Sequence, residues 1–440
     1  MGENLGDEVE LEVTKVAHGG ISVARYDGRV VFVSDAIPGE TVLARISDDS
    51  KPSFWRAETV AVLQPSEFRQ EHVWAAASVD RAPEDRAGGA EFGHIVPAHQ
   101  RELKRQVLTE ALQRMAAVET DVRVEAIPGN VDGTGWRTRV RLHVAEDGTP
   151  GPYSARSHRV IPVTELPLAT AEVSAVAPLH EKFEGETVVD VIAPSSGNPW
   201  VLTGGGRQHA GKTGSGKTGS GKTGAGKTGA GKTGARKGDK KQTIVERVGE
   251  RDFRVDVRGF WQVHSAAAET LTRAVQEVID ETLFDPRAAN LDLYGGVGLL
   301  AAAVGDRFGQ SLRITTVESD SRATGHAAEN LAEWTGAVSV TARVERYLQQ
   351  LRSSASLAER SRLQRATVVL DPPRSGVGKD VVKELAELGP AQLVYVACDP
   401  VALARDVGLF AARGYELVCV RAFDLFPNTY HVEAVATLCR

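Results

Sequence analysis

"LDLYGGVGLLAAAVG", Leu291–Gly305, decides how the second half of this 440-residue chain folds. An apolar run of strand length stops at Gly295, Gly296 and Gly298, then gives way to a leucine- and alanine-rich segment. Strand, glycine turn and helix in that order form the opening unit of an α/β sheet, whose ligands lie beyond the carboxyl ends of the strands. Downstream, "LRITTVE", "AVSVTA", "ATVVLD" and "AQLVYVAC" are further apolar runs separated by helical segments. Strands of this kind are buried on both faces. The spacing therefore predicts a parallel, doubly wound sheet from His264 onward. "YELVCVRAFDL" and "TYHVEAVATLC" then close the chain with no helix between them, which predicts an antiparallel terminal strand.

Working outward toward the N-terminus, residues 8–63 alternate apolar and polar, with turn signals at His18-Gly19-Gly20, Asp27-Gly28 and Pro38-Gly39. Short strands at that spacing predict a small β-barrel over 1–64. Within 65–202, Leu103, Val107, Leu108, Leu112 and Met115 repeat at helical spacing. A compact α+β piece follows, with strands at "WRTRVRLHV" and "HRVIPV" and a helix in "TAEVSAVAPLHEKF". Residues 244–440 hold the α/β sheet.

Between these parts, over 203–243, lies "GKTGSGKTGSGKTGAGKTGAGKT", Gly211–Thr233, which contains G-x-x-x-x-G-K-[ST] four times. A phosphate loop needs a strand feeding it and a helix leaving it. Here only Val201 and Leu202 precede the glycines, and "GARKGDKKQT" carries no apolar face. The stretch reads as a flexible linker. Residues 203–243 hold ten Lys/Arg against Asp239, so the remainder carries −15 of a net −6. Such a tether suits a phosphate backbone or a plain spacer.

The N-terminus has no basic, apolar leader, and no run approaches about 18 apolar residues, so neither a secretory signal nor a membrane span is expected. Cys398, Cys419 and Cys439 make no disulfide framework, which favours a reducing, cytoplasmic setting. Oligomeric state is not legible, with a monomer the default.

Four stretches at strand ends carry chemistry. The glycine turn lets a ligand approach backbone, and Glu318 in "TTVESD" stands about twenty residues further on, where an acid accepts hydrogen bonds from a ribose. The alternative for Glu318 is a helix cap. Asp371 precedes two prolines that hold "LDPPRSG" extended. In "LVYVACDPVALARD", Cys398 sits where the strand stops, before Asp399 as N-cap and Pro400 as first helical residue. The positive end of the new helix predicts a thiolate, the nucleophilic form. Cys419 reads as a small hydrophobe.

Taken together, "GFWQVH", "LDLYGGVG", "VESD", "LDPPRSG", "YVACDP" and "FDLFPNTYHVEAVATL" resemble the class I S-adenosylmethionine-dependent RNA 5-methyluridine methyltransferases, motif by motif and in order. "VAHGGISVARYDGRVVFVSDAIPGE" is similar to a TRAM domain, the RNA-binding barrel that begins many members. The resemblance implies a Rossmann-like catalytic sheet, S-adenosylmethionine as cofactor, and rRNA or tRNA as partner. It places Gln262, Tyr294, Glu318 and Asp371 on the cofactor, with Gly295 in the turn beside them. It makes Cys398 the nucleophile and Glu433 the general base, although Glu433 alone reads as a solvated strand residue. His431 reads as structural.

The chain departs from the family at the iron–sulfur cysteines. C-G-G-C is replaced by Ala87-Gly88-Gly89-Ala90, and Leu166 stands where another cysteine precedes P-L-A. No cluster and no other metal is expected. Other readings are a cytosine C5-methyltransferase, a silent RNA-binding protein and a nucleotide hydrolase. The first wants a Pro-Cys motif that is absent, the second leaves Cys398 and Glu433 unused, and the third lacks a strand–loop–helix setting.

Overall fold

The computed structural model describes residues 4–155, 157–204 and 242–440. The Gly211–Thr233 repeat lies outside the described residues. Strands β1 (Glu8–Ala17), β2 (Ile21–Tyr26), β3 (Arg29–Ser34), β4 (Thr41–Asp48) and β5 (Phe54–Gln64) close a barrel in the order β1-β2-β3-β5-β4. Alternate residues such as Val9, Leu11 and Val13 point inward to meet Val31, Val42, Ile46 and Trp55. That is the period-2 pattern expected of a closed sheet.

A polar connection leads to α1 (Pro97–Ala116). Its buried stripe includes Leu103, Leu108 and Leu112, whereas Met115 is exposed. The same stripe buries Gln100 and Lys104. Lys104 Nζ donates to Asp424 Oδ1 at 2.6 Å, and Gln100 Nε2 to Asn428 Oδ1 at 2.8 Å. Helix α1 thus pins the loop between the last two strands from beneath.

After β6 (Val124–Glu125), the central piece is a four-stranded sheet in the order β10-β9-β7-β8, made by β7 (Arg139–Val144), β8 (Pro150–Gly151), β9 (Val188–Ile192) and β10 (Trp200–Gly204). Two local expectations fail here. "HRVIPV" forms only an isolated bridge at Val160, since Pro162 has no N–H to continue a ladder. The helix α2 (Ala171–Val176) stops short because Pro178 drives Ala177 into an extended conformation.

The C-terminal part begins with a hairpin, β11 (Thr243–Val248) and β12 (Arg251–Asp256), and then α3 (Ala267–Val278). Next come β13 (Asn290–Leu293), α4 (Leu299–Phe308), β14 (Arg313–Glu318), α5 (Ser321–Asn330) and β15 (Gly336–Thr341). Then α6 (Val344–Ser354), α7 (Leu357–Leu363), β16 (Thr367–Leu370), α8 (Gly378–Leu388), β17 (Gln392–Ala397) and α9 (Pro400–Ala411) follow. The chain ends with β18 (Glu416–Phe423) and β19 (Glu433–Cys439). The sheet runs β15-β14-β13-β16-β17-β19-β18-β6. Strands β13 to β17 are mutually parallel, and β19 inserts antiparallel between β17 and β18. Strand β6 pairs with β18 and carries the chain before the central sheet back to this edge. Helices cover both faces, so the two apolar sides fill separate cores, one around Leu293, Leu370 and Tyr395 and the other around Val369, Val394 and Val435.

Strand order reverses between β14-β13 and β13-β16, the switch point where open α/β sheets leave a crevice.

Candidate active site

Five consecutive strands deliver one functional side chain each to the same edge. Glu318 ends β14, Tyr294 follows β13, Asp371 follows β16 and Cys398 follows β17. Because β19 runs the other way, its first residue, Glu433, arrives at that edge too, and the pairing of Ala397 with Ala434 sets Cys398 across from it. Neighbouring strands are about 4.8 Å apart. Asp371, Cys398 and Glu433 are therefore adjacent along the edge, with Glu318 about three strand spacings from Cys398.

All five side chains, with Gln262, line one cleft of about 1220 Å³. Gln262 comes from the loop after β12, which is held by Thr138, whose N and Oγ1 both donate to Val263 O at 2.8 and 3.0 Å. In that loop Trp261 is buried while Phe260 is 74% exposed. Gly295 is not part of the lining. A Cβ there would fall 2.3 Å from Asp292 Oδ2 and 2.4 Å from Thr316 Cγ2, so this glycine is needed for packing behind the cleft. Gly296, at φ +53°, does face it, with open space where a side chain would be. Tyr294 holds the left-handed φ of +62°, a strain of order 1–3 kcal/mol of the sort that collects at functional sites.

Glu318 is hydrogen-bonded by its own turn: Oε1 accepts from Ser319 and Asp320 N, and Oε2 from Gly296 N at 3.3 Å. The helix-cap alternative for Glu318 falls away, because Asp320 caps α5 through Arg322 N and Ala323 N. Glu433 is the opposite case. It is 4% exposed, has no side-chain hydrogen bond among the described residues, and burial, then Asp371, pushes its carboxyl well above the ordinary range, against Arg374. The solvated reading of Glu433 is thus corrected: β19 is an inner strand with helices on both faces, so its polar positions are buried as well. Asp371 is pushed up to about 7 by burial, and Asp292 to about 7 by burial and then Asp371. Among the described residues, Asp292 Oδ1 is buried with no hydrogen-bond partner.

The thiolate expected at Cys398 is also overturned. Burial, then Glu433 and Asp371, raises the thiol to about 12, opposed by Arg374. The first N–H groups of the helix are engaged away from the sulfur: Asp399 Oδ1 accepts from Val401 N at 3.0 Å and Ala402 N at 2.8 Å, and Pro400 has no N–H to offer. His431 lines the cleft as well, held down to about 3 by burial and then Arg374. Arg374, Trp136 and Arg137 are cleft residues to which the sequence reading gave no role. Arg374 stood within the quoted "LDPPRSG" stretch, while the other two open "WRTRVRLHV", which reads only as a strand. Cys419 and Cys439 do not line the cleft.

The positions of the family's cluster cysteines are filled by hydrocarbon. Ala87, Ala90 and Leu166 share a buried core with Trp74, Ala77 and Trp136, which offers iron no ligand. Among the described residues no His, Cys, Asp or Glu group is arranged to hold a metal, and no helix is long and apolar enough to cross a membrane.

Comparison with known proteins agrees with this layout. Residues 245–440 match the tRNA (Uracil-5-)-methyltransferase family, and residues 2–60 match the TRAM domain. An uncharacterised RNA methyltransferase of Streptomyces avermitilis is 37% identical over 99% of this chain and 98% of its own length. Another from Bifidobacterium longum is 31% identical over 98% and 97% respectively. The solved tRNA (uracil-54, C5)-methyltransferase of Pyrococcus abyssi, in complex with S-adenosyl-L-homocysteine, superposes with a TM-score of 0.66 at 20% identity. That match covers 99% of this chain and 100% of the archaeal one, a likeness of fold.

Proposed function

The chain belongs to the tRNA (uracil-5-)-methyltransferase family and begins with a TRAM domain, and from that premise we propose that it methylates C5 of a uridine in RNA through a bond between Cys398 and C6. One observation carries the reading: Asp371, Cys398 and Glu433 stand on three neighbouring strand ends and face a single cleft. Binding alone requires neither a sulfur nor a buried, unpartnered carboxyl.

The residues suit S-adenosylmethionine. Glu318 offers a carboxylate at ribose-binding position, Gly296 leaves backbone open to a ligand, and Tyr294, Gln262 and Asp371 complete the wall. When bound, the cofactor supplies a methyl group made electrophilic by its sulfonium charge. A positive charge beside Asp371 and Glu433 also favours their ionised forms.

C5 of uracil is a weak nucleophile by itself. Cys398 gives its proton to solvent and its sulfur bonds C6, pushing the C5–C6 electron pair toward C5 and O4 as an enolate. C5 would then take the methyl group, the methyl–sulfonium bond breaking with its electron pair left on sulfur so that a neutral thioether departs. Glu433 removes the remaining C5 proton, the double bond re-forms, and the S–C6 bond breaks. Each step acts at neighbouring strand ends, so one flipped ring reaches both sulfur and carboxylate. Unstacking that base costs roughly a few kcal/mol, and the exposed Phe260 in the cleft wall offers a face to stack on. A cytosine enzyme with a second nucleophile is disfavoured because neither other cysteine reaches the cleft. In this division of labour the barrel and central sheet hold RNA and residues 244–440 carry the chemistry.

The direct test is nucleoside mass spectrometry of rRNA and tRNA from a strain lacking the protein, paired with in vitro methylation of that RNA by the full chain. Loss and restoration of 5-methyluridine is expected. Restoration of 5-methylcytidine instead, or of no methylated nucleoside, overturns the assignment.

A further inference from the structure

The barrel touches the catalytic machinery itself. Its first turn, between β1 and β2, projects His18 onto the loop that carries the nucleophile, where Nε2 stands 2.8 Å from Asp399 Oδ2. Asp399 is the residue directly after Cys398, and its other oxygen, Oδ1, caps helix α9. One carboxylate is thereby held at both ends, by a helix in the catalytic sheet and by an imidazole about 380 residues away in sequence. Two positions on, Gly20 adopts φ +69° and lies so close to Tyr430 that a Cβ would fall 2.4 Å from the tyrosine Cβ. Tyr430 belongs to the segment leading into Glu433. His18, Gly20, Cys398, Asp399, Tyr430 and His431 enclose a small second cavity behind the sulfur. One turn of the barrel therefore leans on the approach to both the proposed nucleophile and the proposed base.

We propose that His18 is a positioning residue for Cys398, so that the barrel serves catalysis as well as RNA capture. The proposal rests on Cys398 being the nucleophile. The physical reason is the way Asp399 is shared. Without His18, the bonds from Val401 and Ala402 still keep α9 capped, so the fold survives. What is lost is the constraint on Oδ2, which otherwise fixes the carboxylate plane and the adjoining Cys398 backbone. The imidazole partner also offsets a carboxylate charge beside the sulfur, and the Asp399 bond raises the His18 basicity in favour of the cationic form. An unpaired Asp399 opposes thiolate formation next door. His18 is half-exposed, so its replacement leaves no buried void.

The test compares His18→Ala with His18→Gln, whose amide N–H can donate to the same Oδ2. With His18→Ala, turnover at saturating RNA and S-adenosylmethionine falls about tenfold, while the RNA concentration for half-saturation and the melting temperature stay close to those of the parent. His18→Gln recovers most of that loss. An unchanged turnover with only weaker RNA binding would assign His18 to RNA grip and overturn the proposal, as would a glutamine variant no faster than the alanine one. A second readout needs no methyl transfer: the rate of Cys398 alkylation by iodoacetamide, followed by peptide mass spectrometry against Cys419 and Cys439. His18→Ala should slow Cys398 selectively and His18→Gln should restore it. Equal Cys398 rates in all three proteins refute the positioning role even if the parent chain methylates no uridine, so the two failures are told apart.

Discussion

Two glutamates stand at strand ends on the same edge of one sheet, Glu318 closing β14 and Glu433 opening β19, and they could hardly be treated more differently. Glu318 is wrapped by donors from its own turn, Ser319, Asp320 and Gly296. Glu433 is sunk in an inner strand with no donor among the described residues, beside Asp371 and the Cys398 thiol. A carboxylate already hydrogen-bonded by its own backbone is fixed in place and suits holding a neutral polyol. A carboxyl denied partners and crowded by another acid is poised to exchange a proton once a cation or ring arrives. On the proposed function, the cleft divides into a cofactor-holding half with hydrogen-bonded polar groups and a reacting half whose carboxyl lacks a partner among the described residues.

That division can be broken experimentally, beginning with the reacting half. Cys398→Ala should lower methyl transfer by roughly 10⁴-fold or more while leaving S-adenosylmethionine affinity within about twofold of the parent, since sulfur makes the bond but does not hold the cofactor. Equal turnover by this variant in a single-turnover assay would end the covalent scheme. Glu433→Gln should cost on the order of 10² to 10⁴ in turnover and trap a protein–RNA adduct that survives a denaturing gel. Normal product release with no adduct would remove Glu433 from the proton-abstracting role.

In the binding half the signature is expected to invert. Glu318→Ala should weaken S-adenosylmethionine by about 10- to 100-fold, the range of a lost hydrogen bond to a charged group, yet largely preserve turnover at saturation. Calorimetric titration beside saturation kinetics separates the two, and a large fall in saturated turnover would erase the contrast. The smallest effect belongs to Asp292, which lies behind both halves with one oxygen unpartnered among the described residues. Its folded carboxyl titrates near 7 against an ordinary 3.8, so between those values the folded protein keeps a proton the unfolded chain has lost. Stability from this group therefore declines as pH rises from about 4 to 7 and levels off above. Asp292→Asn cannot ionise. Its melting temperature relative to the parent should rise by on the order of 5 °C between pH 5 and pH 8, and a gap independent of pH would refute the assignment.

Much of this was legible from local pattern. Continuous apolar runs with glycine, Asp-Pro-Pro and Cys-Asp-Pro at their ends foretold a wound sheet and the strand ends where ligands lie, because burial on two faces and helix starts leave marks within a few residues. Glu433 escaped that reading since alternation in "YHVEAVATL" looks the same in an edge strand and an inner one. The Cys398 thiolate failed for a related reason. A helix end can be read from Asp399-Pro400, but the acids that outweigh it come from β16 and β19. Trp136 and Arg137 read only as the start of a strand, lying in a part whose strands are short and broken by proline. Ala87, Ala90 and Leu166 announced the loss of cluster ligands in the sequence. Only packing showed that the gap is filled by a core shared with Trp74 and Trp136.

By itself the sequence determined most of the elements and their order, and it singled out Cys398, Asp371 and Glu318 as candidates at strand ends, because propensity, periodicity and turn chemistry act over a handful of residues. Tertiary structure alone decided the charge states of those groups and who stands next to whom. Strand order brought Glu433 beside Cys398, and a barrel turn reached across the molecule to Asp399. Desolvation and charge–charge coupling depend on every neighbour in space, so no window along the chain contains them.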